Sequence, residues 1–312
     1  MNLSKKLALE LKKNEHEVIA FLLNAPNRYK VYKIPKRSHG HRIIAQPTSE
    51  LKNYQRAFVK LFKFPLHKSA TAYRLGKSIK ENALAHAKNK YLLKTDLENF
   101  FNSINPELFW NCLNKSGAKA PYSDPFEKML VEKILFWCPS KTREGKLILS
   151  VGAPSSPLIS NFCLYIFDCA LFDYCKNKNI NYTRYADDLT FSTNTKDILY
   201  DIIPIIQKLL KDNFDNEIKL NHSKTVFSSK AHNRHVTGIT INNEGDLSLG
   251  RERKRYIKHL INQYKYQQLD KTEEDHLRGL LSFAKHIEPN FLERLKVKYS
   301  NEIIDSLCGA RK

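Results

Sequence analysis

Residues 181–192 read NYTRYADDLTFS, with two adjacent aspartates, Asp187 and Asp188, at the centre. Strand-favouring residues flank them: Tyr182, Thr183 and Tyr185 before, Leu189, Thr190 and Phe191 after. Asp is depleted in strands and enriched in turns, so the stretch reads as a β-hairpin with an acidic tip. Two carboxylates about 4 Å apart repel by roughly 1 kcal/mol in water, and by more when partly buried. A hard cation with oxygen ligands reverses the sign of that interaction. The pair is therefore either an ordinary acidic turn or half of a metal site, and a third carboxylate decides which.

KYLLKTDLENFF (90–101) supplies it. An apolar strand, Tyr91 to Leu93, runs into Asp96. If this strand and the hairpin are neighbours in one sheet, Asp96, Asp187 and Asp188 converge at its edge. Side chains alternate along a strand, so adjacent aspartates share a metal only if the turn twists between them. Asp187 is expected to be the closer ligand and Asp188 the more peripheral one, with the backbone carbonyl of Leu97 as a further ligand. Two Mg²⁺ ions about 3.5–4 Å apart, or Mn²⁺ in their place, activate an attacking hydroxyl and stabilise a leaving pyrophosphate. Mg²⁺ needs only one or two protein carboxylates, with phosphates and water completing its shell.

The 312 residues are enough for two or three packed subdomains, and the 42% apolar content is that of a globular protein. No run of about eighteen apolar residues suggests a membrane span. The start, MNLSKKLALELKKNEHE, is charged throughout and lacks the apolar core of a signal peptide. The six cysteines, Cys112, Cys138, Cys163, Cys169, Cys175 and Cys308, form no CxxC pair. They read as buried free thiols suited to a reducing cytoplasm, not as zinc ligands. Against 32 Asp and Glu stand 52 Lys and Arg, a formal net charge of +20. Such an excess points to a polyanion, nucleic acid or an anionic membrane. The 15 Tyr and 17 Phe favour nucleic acid, on whose bases aromatic rings stack.

Strand and helix patterns are mixed, so the fold class is α+β. The first 24 residues read as helix with Ser4 as cap. RYKVYKI (28–34) and RIIAQP (42–47) alternate as strands about a basic turn, KRSHGHR (36–42). Residues 51–64 and 79–89 have helical spacing, and 106–138 read as largely helical. KLILSVGAPSSPLISN (146–161) reads as a strand, a turn and a helix running to about Cys175, with Ser156 and Pro157 as cap and first residue. Residues 197–215 read as helix, 216–229 as a strand with a polar insert, and HVTGITIN (235–242) as one further strand. From Arg251 onward the chain reads as helical and basic.

YADD (185–188), preceded by TDLENFF (95–101) and VGAPSSP (151–157), resembles the palm motifs of bacterial reverse transcriptases in order and spacing. NALAH (82–86) and VTG (236–238) are similar to two signatures of the retron branch, and RYKVYKIPKR with RIIAQPTSELKNYQ resembles its fingers. The resemblance spans roughly residues 16–300. It implies a right-hand polymerase: N-terminal helix and fingers over 1–90, palm over 91–245 with a helical insert at 106–138, and thumb over 246–312.

The resemblance implies roles residue by residue. Asp96, Asp187 and Asp188 would be the catalytic metal-binding triad. Phe101, or alternatively Phe100, would be the ring that excludes a ribose 2′-OH. Gly152, Ala153, Pro154 and Ser155 would lie against the incoming nucleotide and template. Arg42 would grip the triphosphate, with Arg74 and Lys77 as further candidates or merely solvated cations. Lys224 would protonate the leaving pyrophosphate or neutralise phosphate charge. Asn82 and His86, and Val236, Thr237 and Gly238, would serve an RNA-binding or structural role of the retron branch. Most members of the family that the chain resembles carry Gln where Val151 stands, which puts efficiency, fidelity or nucleotide preference in doubt.

GRERKRYIKHLINQYKYQQ (250–268) gathers Arg251, Arg253, Lys254, Arg255 and Lys258 at a helix start, where cations oppose the helix dipole. They suit a thumb gripping the product duplex by its phosphates, or else a solvated face. Implied partners are dNTPs, a cognate structured noncoding RNA, its branched msDNA product primed from an RNA 2′-OH, an effector protein in antiphage defence and a separate host ribonuclease H, with no membrane. The rival readings are a group II intron-like or diversity-generating enzyme and a catalytically silent RNA-binding scaffold.

Overall fold

The computed structural model describes residues 2–35, 40–142 and 144–309. Most of the expected basic turn at 36–42 therefore lies outside the described residues. Two helices open the chain, α1 (Leu3–Leu11) and α2 (Glu15–Leu23), where the sequence suggested one. Lys12 takes φ +54° between them, and Asn2 and Asn14 cap them. Ser4 is no cap: it is buried, and its hydroxyl donates to Glu15 and Glu127. The ribbon β1 (Tyr29–Pro35) and β2 (His41–Pro47) follows, antiparallel, with most side chains exposed. Thr48 caps α3 (Ser49–Leu61), and Ser78 caps the short α4 (Ile79–Leu84).

The middle of the chain builds the central layer. It runs through β3 (Tyr91–Glu98), α5 (Phe100–Ser103), α6 (Pro106–Ser116) and α7 (Pro125–Leu135). The expected helical insert ends in strand, β4 (Phe136–Trp137), paired with β5 (Ile148–Leu149). Then come α8 (Ser156–Cys163), α9 (Tyr165–Asn177), β6 (Asn181–Tyr185), β7 (Asp188–Thr193), α10 (Ile202–Phe214) and β8 (Lys219–Ser229). The single helix expected to reach Cys175 is bent by 50° between α8 and α9. The carbonyl of Cys163 at the break accepts a hydrogen bond from the Cys112 thiol at 3.2 Å, so the bend leaves it satisfied. Ser156 is the first helical residue of α8, and Ser155 before it makes no capping bond.

Strands β6, β7, β3 and β8 form one antiparallel sheet in that spatial order. Leu93, Phe191 and Tyr182 stand in register and face the main apolar core. The opposite face carries Lys94, Asp96, Thr190 and Asp188. The C-terminal part comprises β9 (Arg234–Val236), β10 (Ile239–Ile241), β11 (Leu247–Ser248) and helices α11 (Arg251–Lys265), α12 (Lys271–Ile287), α13 (Pro289–Tyr299) and α14 (Asn301–Leu307). The single strand expected over 235–242 is a hairpin, because Thr237 and Gly238 both take positive φ between β9 and β10. The second apolar core joins Ala83, Ala87 and Leu92 to residues from Val236 onward, ten residues before the expected thumb boundary. No single described helix is long and apolar enough to cross a membrane. Cys112, Cys138, Cys163 and Cys175 are buried and free, Cys169 is half-buried, and Cys308 is exposed.

Three residues considered for RNA contact are sealed inside. Asn82 and His86 are fully buried, as is Val236. Asn82 accepts from Thr71 Oγ1 at 3.0 Å and approaches Thr237 Oγ1 at 3.5 Å. The His86 ring bridges Thr183 and Ser192 of the sheet, each at 2.7 Å. The NALAH stretch thus fastens sheet to thumb, which is the structural alternative.

Burial pushes the His86 imidazole from an ordinary 6.5 down to about 3, so the folded chain holds it neutral. Between those values the unfolded chain binds the extra proton, and stability falls as pH drops. At about 1.4 kcal/mol per pH unit, acidification from about pH 6.5 to 5 costs about 2 kcal/mol through this residue. Denaturant unfolding at both pH values should show a shallower loss in His86→Gln, and equal slopes would remove the assignment. Asp168→Ala, which strips the partner from the fully buried Arg184, should cost about 3–5 kcal/mol in the same assay.

Candidate active site

The acidic hairpin pairs Tyr185 with Asp188, so its loop is two residues, Ala186 and Asp187. Ala186 takes φ +58° and Asp187 does not take positive φ, the sign pattern of a type II′ turn. This turn supplies the twist that two neighbouring aspartates need: Asp187 belongs to the loop and Asp188 opens β7. Asp96 of β3 stands directly opposite Asp188. Opposed residues of an antiparallel pair share a face, with Cβ atoms about 4.5–5.5 Å apart. The Leu97 amide donates to the Asp187 carbonyl at 3.0 Å, which ties the loop to the end of β3. All three carboxylates therefore sit at one end of the sheet.

A buried ionic cluster holds the loop from behind. The Arg184 guanidinium donates to Asp168 through Nε and Nη2, and through Nη1 to Asn161 at 3.0 Å and to the Ala186 carbonyl at 2.9 Å. The Tyr182 hydroxyl donates to the same Asp168 at 2.7 Å. The Asn161 amide reaches on to the carbonyl of Ala72 at 3.0 Å. Residues 69–71 run alongside β6, with the Arg184 backbone donating to Ser69 and accepting from Thr71.

The electrostatics are those of crowded anions. Burial, and then the Asp96 charge, raise the Asp187 carboxyl, while Lys224 and Arg42 oppose. Asp188 keeps an open side to solvent. Even so, burial and then the charges of Asp187 and Asp96 push it up to about 6. Lys224 gives Asp96 a 2.8 Å ion pair. Burial works to lower the Lys224 ammonium, but its hydrogen bond and attraction to Asp96 outweigh this and raise it. Its proton is thus held more tightly than that of a free lysine, and an acid role requires the contact to Asp96 to open.

Among the described residues no three His, Cys, Asp or Glu side chains are already gathered to hold a metal ion. Asp96 is instead turned to Lys224. The donor set nevertheless fits Mg²⁺ or Mn²⁺ chemically: three hard carboxylates on one sheet end, with a carbonyl at Leu97 nearby. Asp96, Asp187 and Asp188 would hold such ions once Asp96 leaves Lys224.

The remaining residues divide. Arg42 is exposed on β2, within electrostatic reach of Asp187. Lys77 is exposed, but Arg74 is tied to the carbonyls of His67 and Ala70 and braces its own loop, against a triphosphate role. Phe100 is buried while Phe101 is partly exposed, so Phe101 is the ring able to meet a sugar. Gly152 lies so close to β2 that a Cβ would meet the Ala45 carbonyl at 3.1 Å. Its smallness thus serves the fingers ribbon. Ala153 and Ser155 are buried and closed to a nucleotide, whereas Gly152 is exposed and Pro154 half-buried. In the thumb, Arg251, Arg255 and Lys258 are exposed. Lys254 pairs with Glu288 at 2.7 Å, and Arg253 donates to the Gly238 carbonyl and lies over Phe283. These two cations brace the thumb and are not free for phosphates. Thr237 and Gly238 stay at the surface of the hairpin.

Two residues escaped the sequence reading. Tyr73 is 56% exposed with φ +59°, a strained geometry for a bulky side chain, and the charges of Asp187 and Arg42 both act on its phenol. No pattern marks it beyond its place before Arg74. Lys94 is half-buried two residues before Asp96 on the same face, within the field of Asp188. The strand period alone could have found it.

The raised Asp188 value has a consequence for stability. The folded chain binds this proton between an unfolded value near 3.8 and about 6, so the group's contribution falls as pH rises through that window. In metal-free buffer near pH 7, Asp188→Asn should therefore be the more stable protein. The gain should be about 0.5–1 kcal/mol, given the solvent screening of an exposed carboxylate. It should close below about pH 4, and a less stable variant at neutral pH would contradict the repulsion.

The family model described as reverse transcriptase (RNA-dependent DNA polymerase) matches residues 34–241. The chain is 50% identical over 281 residues to the retron Ec83 reverse transcriptase of Escherichia coli, covering 89% of each. It is 31% identical to the retron Ec73 reverse transcriptase of the same species, covering 90% of each. It is 30% identical to the retron Mx65 reverse transcriptase of Myxococcus xanthus, covering 86% of this chain and 63% of that one. With the right-hand polymerase fold of that family, the chain belongs to the bacterial retron reverse transcriptases and is an RNA-directed DNA polymerase.

Proposed function

We propose that this chain copies a cognate structured noncoding RNA into DNA with two Mg²⁺ ions held by Asp96, Asp187 and Asp188. The observation that carries the reading is the union of three mutually repelling carboxylates with Lys224 and Arg42 at one end of the sheet. Bound Mg²⁺ would supply Lewis acidity to the attacking hydroxyl and the leaving pyrophosphate. Arg42 receives the triphosphate of the dNTP, with Lys77 as an outer cation. Lys224 neutralises phosphate charge once it releases Asp96. Phe101 closes the space that a ribose 2′-OH needs, and Tyr73 walls the site on the Asp187 side. Arg251, Arg255 and Lys258 grip the product duplex by its phosphates, a salt-sensitive and sequence-tolerant contact.

The retron relatives support a narrower reading. The primer is a 2′-OH of the cognate RNA, the product is a branched msDNA trimmed by host ribonuclease H, and the enzyme works in the bacterial cytoplasm. Its setting is antiphage defence with an effector protein. Nucleic acid that copurifies with the chain tests this: ribonuclease digestion and sequencing should leave one short single-stranded DNA with a ribonucleotide branch. An Asp187→Asn strain should lack it. If purified protein extends a primer on RNA but no such DNA exists, the branched-product reading falls and the polymerase stands.

In primer extension, Asp187→Asn should lose at least about a thousandfold in rate, since the Lewis-acid contribution is several kcal/mol. Phe101→Val should admit ribonucleotides about tenfold or more better relative to dNTPs, the scale of one steric contact. Unchanged sugar discrimination would return the gate to Phe100.

A further inference from the structure

The other end of the central sheet, five residues along β3 from Asp96 and so about 16 Å away, gathers cations and aromatic rings that polymerisation does not use. Three loops are laced together there. The Lys90 amide donates to Asn194, the Lys230 amide donates to the Lys90 carbonyl, and Asn194 donates to Asn89. This brings Lys90, Lys196 and Lys230 to one rim, and none of them has an ion-pair partner among the described residues. Beside the rim, Tyr200 and Phe227 pack at a tilt of 31° with ring centroids 4.6 Å apart, yet remain 60% and 40% exposed. They line a cavity of about 260 Å³ together with Tyr91, Lys196 and His232, and Asp197 is the one carboxylate in its wall.

Large rings left open beside unpaired lysines are the chemistry of single-stranded nucleic acid, whose bases stack while its phosphates are neutralised. A duplex keeps its bases stacked inside and offers nothing to Tyr200. The cavity is smaller than the roughly 300–1,000 Å³ of drug-sized sites, which suits one unstacked base. We propose that this patch is a second nucleic-acid site that holds an unpaired stretch of strand, one base against Tyr200 and Phe227 and its flanking phosphates on Lys90, Lys196 and Lys230. The inference rests on the proposed function only in taking nucleic acid as the ligand, since the patch lies apart from the aspartates.

The probe is a fluorescent twelve-nucleotide single-stranded RNA of mixed sequence, with the same sequence as DNA and as duplex in parallel. Binding is read by anisotropy on full-length protein whose polymerase cleft is first saturated with an unlabelled RNA–DNA hairpin. Tyr200→Ala should weaken RNA binding at least about fivefold, the low end for removal of one base stack. Tyr200→Phe should retain it, and both variants should extend a short primer–template at the wild-type rate. Lys196→Gln with Lys230→Gln should reduce the salt dependence by about 0.7 for each phosphate no longer neutralised. Equal binding by DNA assigns the patch to the product strand, and preference for RNA assigns it to the template transcript. Wild-type binding by Tyr200→Ala, stronger binding of the duplex, or loss of extension together with binding would each overturn the proposal. A wild-type protein that binds the probe but never extends a primer would sink the polymerase reading and leave this one standing.

Discussion

The contact on which the rest depends is the buried guanidinium of Arg184. A charge removed from water is costly unless it is paired and fully hydrogen-bonded. Here Asp168 supplies the counter-charge to Nε and Nη2, and Asn161 and the Ala186 carbonyl take both Nη1 donors. The cluster therefore fixes the backbone of the acidic loop at the residue that carries its positive φ. Through Asn161 it also fixes Ala72, the residue before the strained Tyr73. Two positive-φ positions, Ala186 and Tyr73, are thus held by one internal cluster.

The site presses against its own fold. Asp96, Asp187 and Asp188 are assembled by backbone pairing, and the resulting repulsion shows in the raised carboxyls of Asp187 and Asp188. Lys224, paired with Asp96, relieves part of it. The sheet thus supplies geometry at a cost in stability that this ion pair partly offsets.

The α+β class, the acidic hairpin and the three aspartates were legible because each depends on local pattern and motif order. What escaped depends on three-dimensional neighbours. Lys12 ends a helix in the left-handed region without being glycine, so no residue type announced the break. Thr237, a β-branched residue, turns a hairpin where its chemistry suggests strand. Asn82 and His86 are polar residues with buried hydrogen-bond partners, which a one-dimensional reading cannot separate from surface contacts. Arg74, Arg253 and Lys254 illustrate the same limit for cations, since only the fold shows which carbonyl or carboxylate already claims them.

The second apolar core draws Ala83, Ala87 and Leu92 from the first third of the chain into contact with helices from its last fifth. The thumb is therefore not a modular appendage. Cutting the chain near residue 246 would bare the apolar side chains of Ala83, Ala87, Leu92, Val236, Ile239 and Ile241. Palm and thumb should accordingly melt as one cooperative unit. Recombination between relatives that swaps the C-terminal helices would have to carry the α4 segment with them.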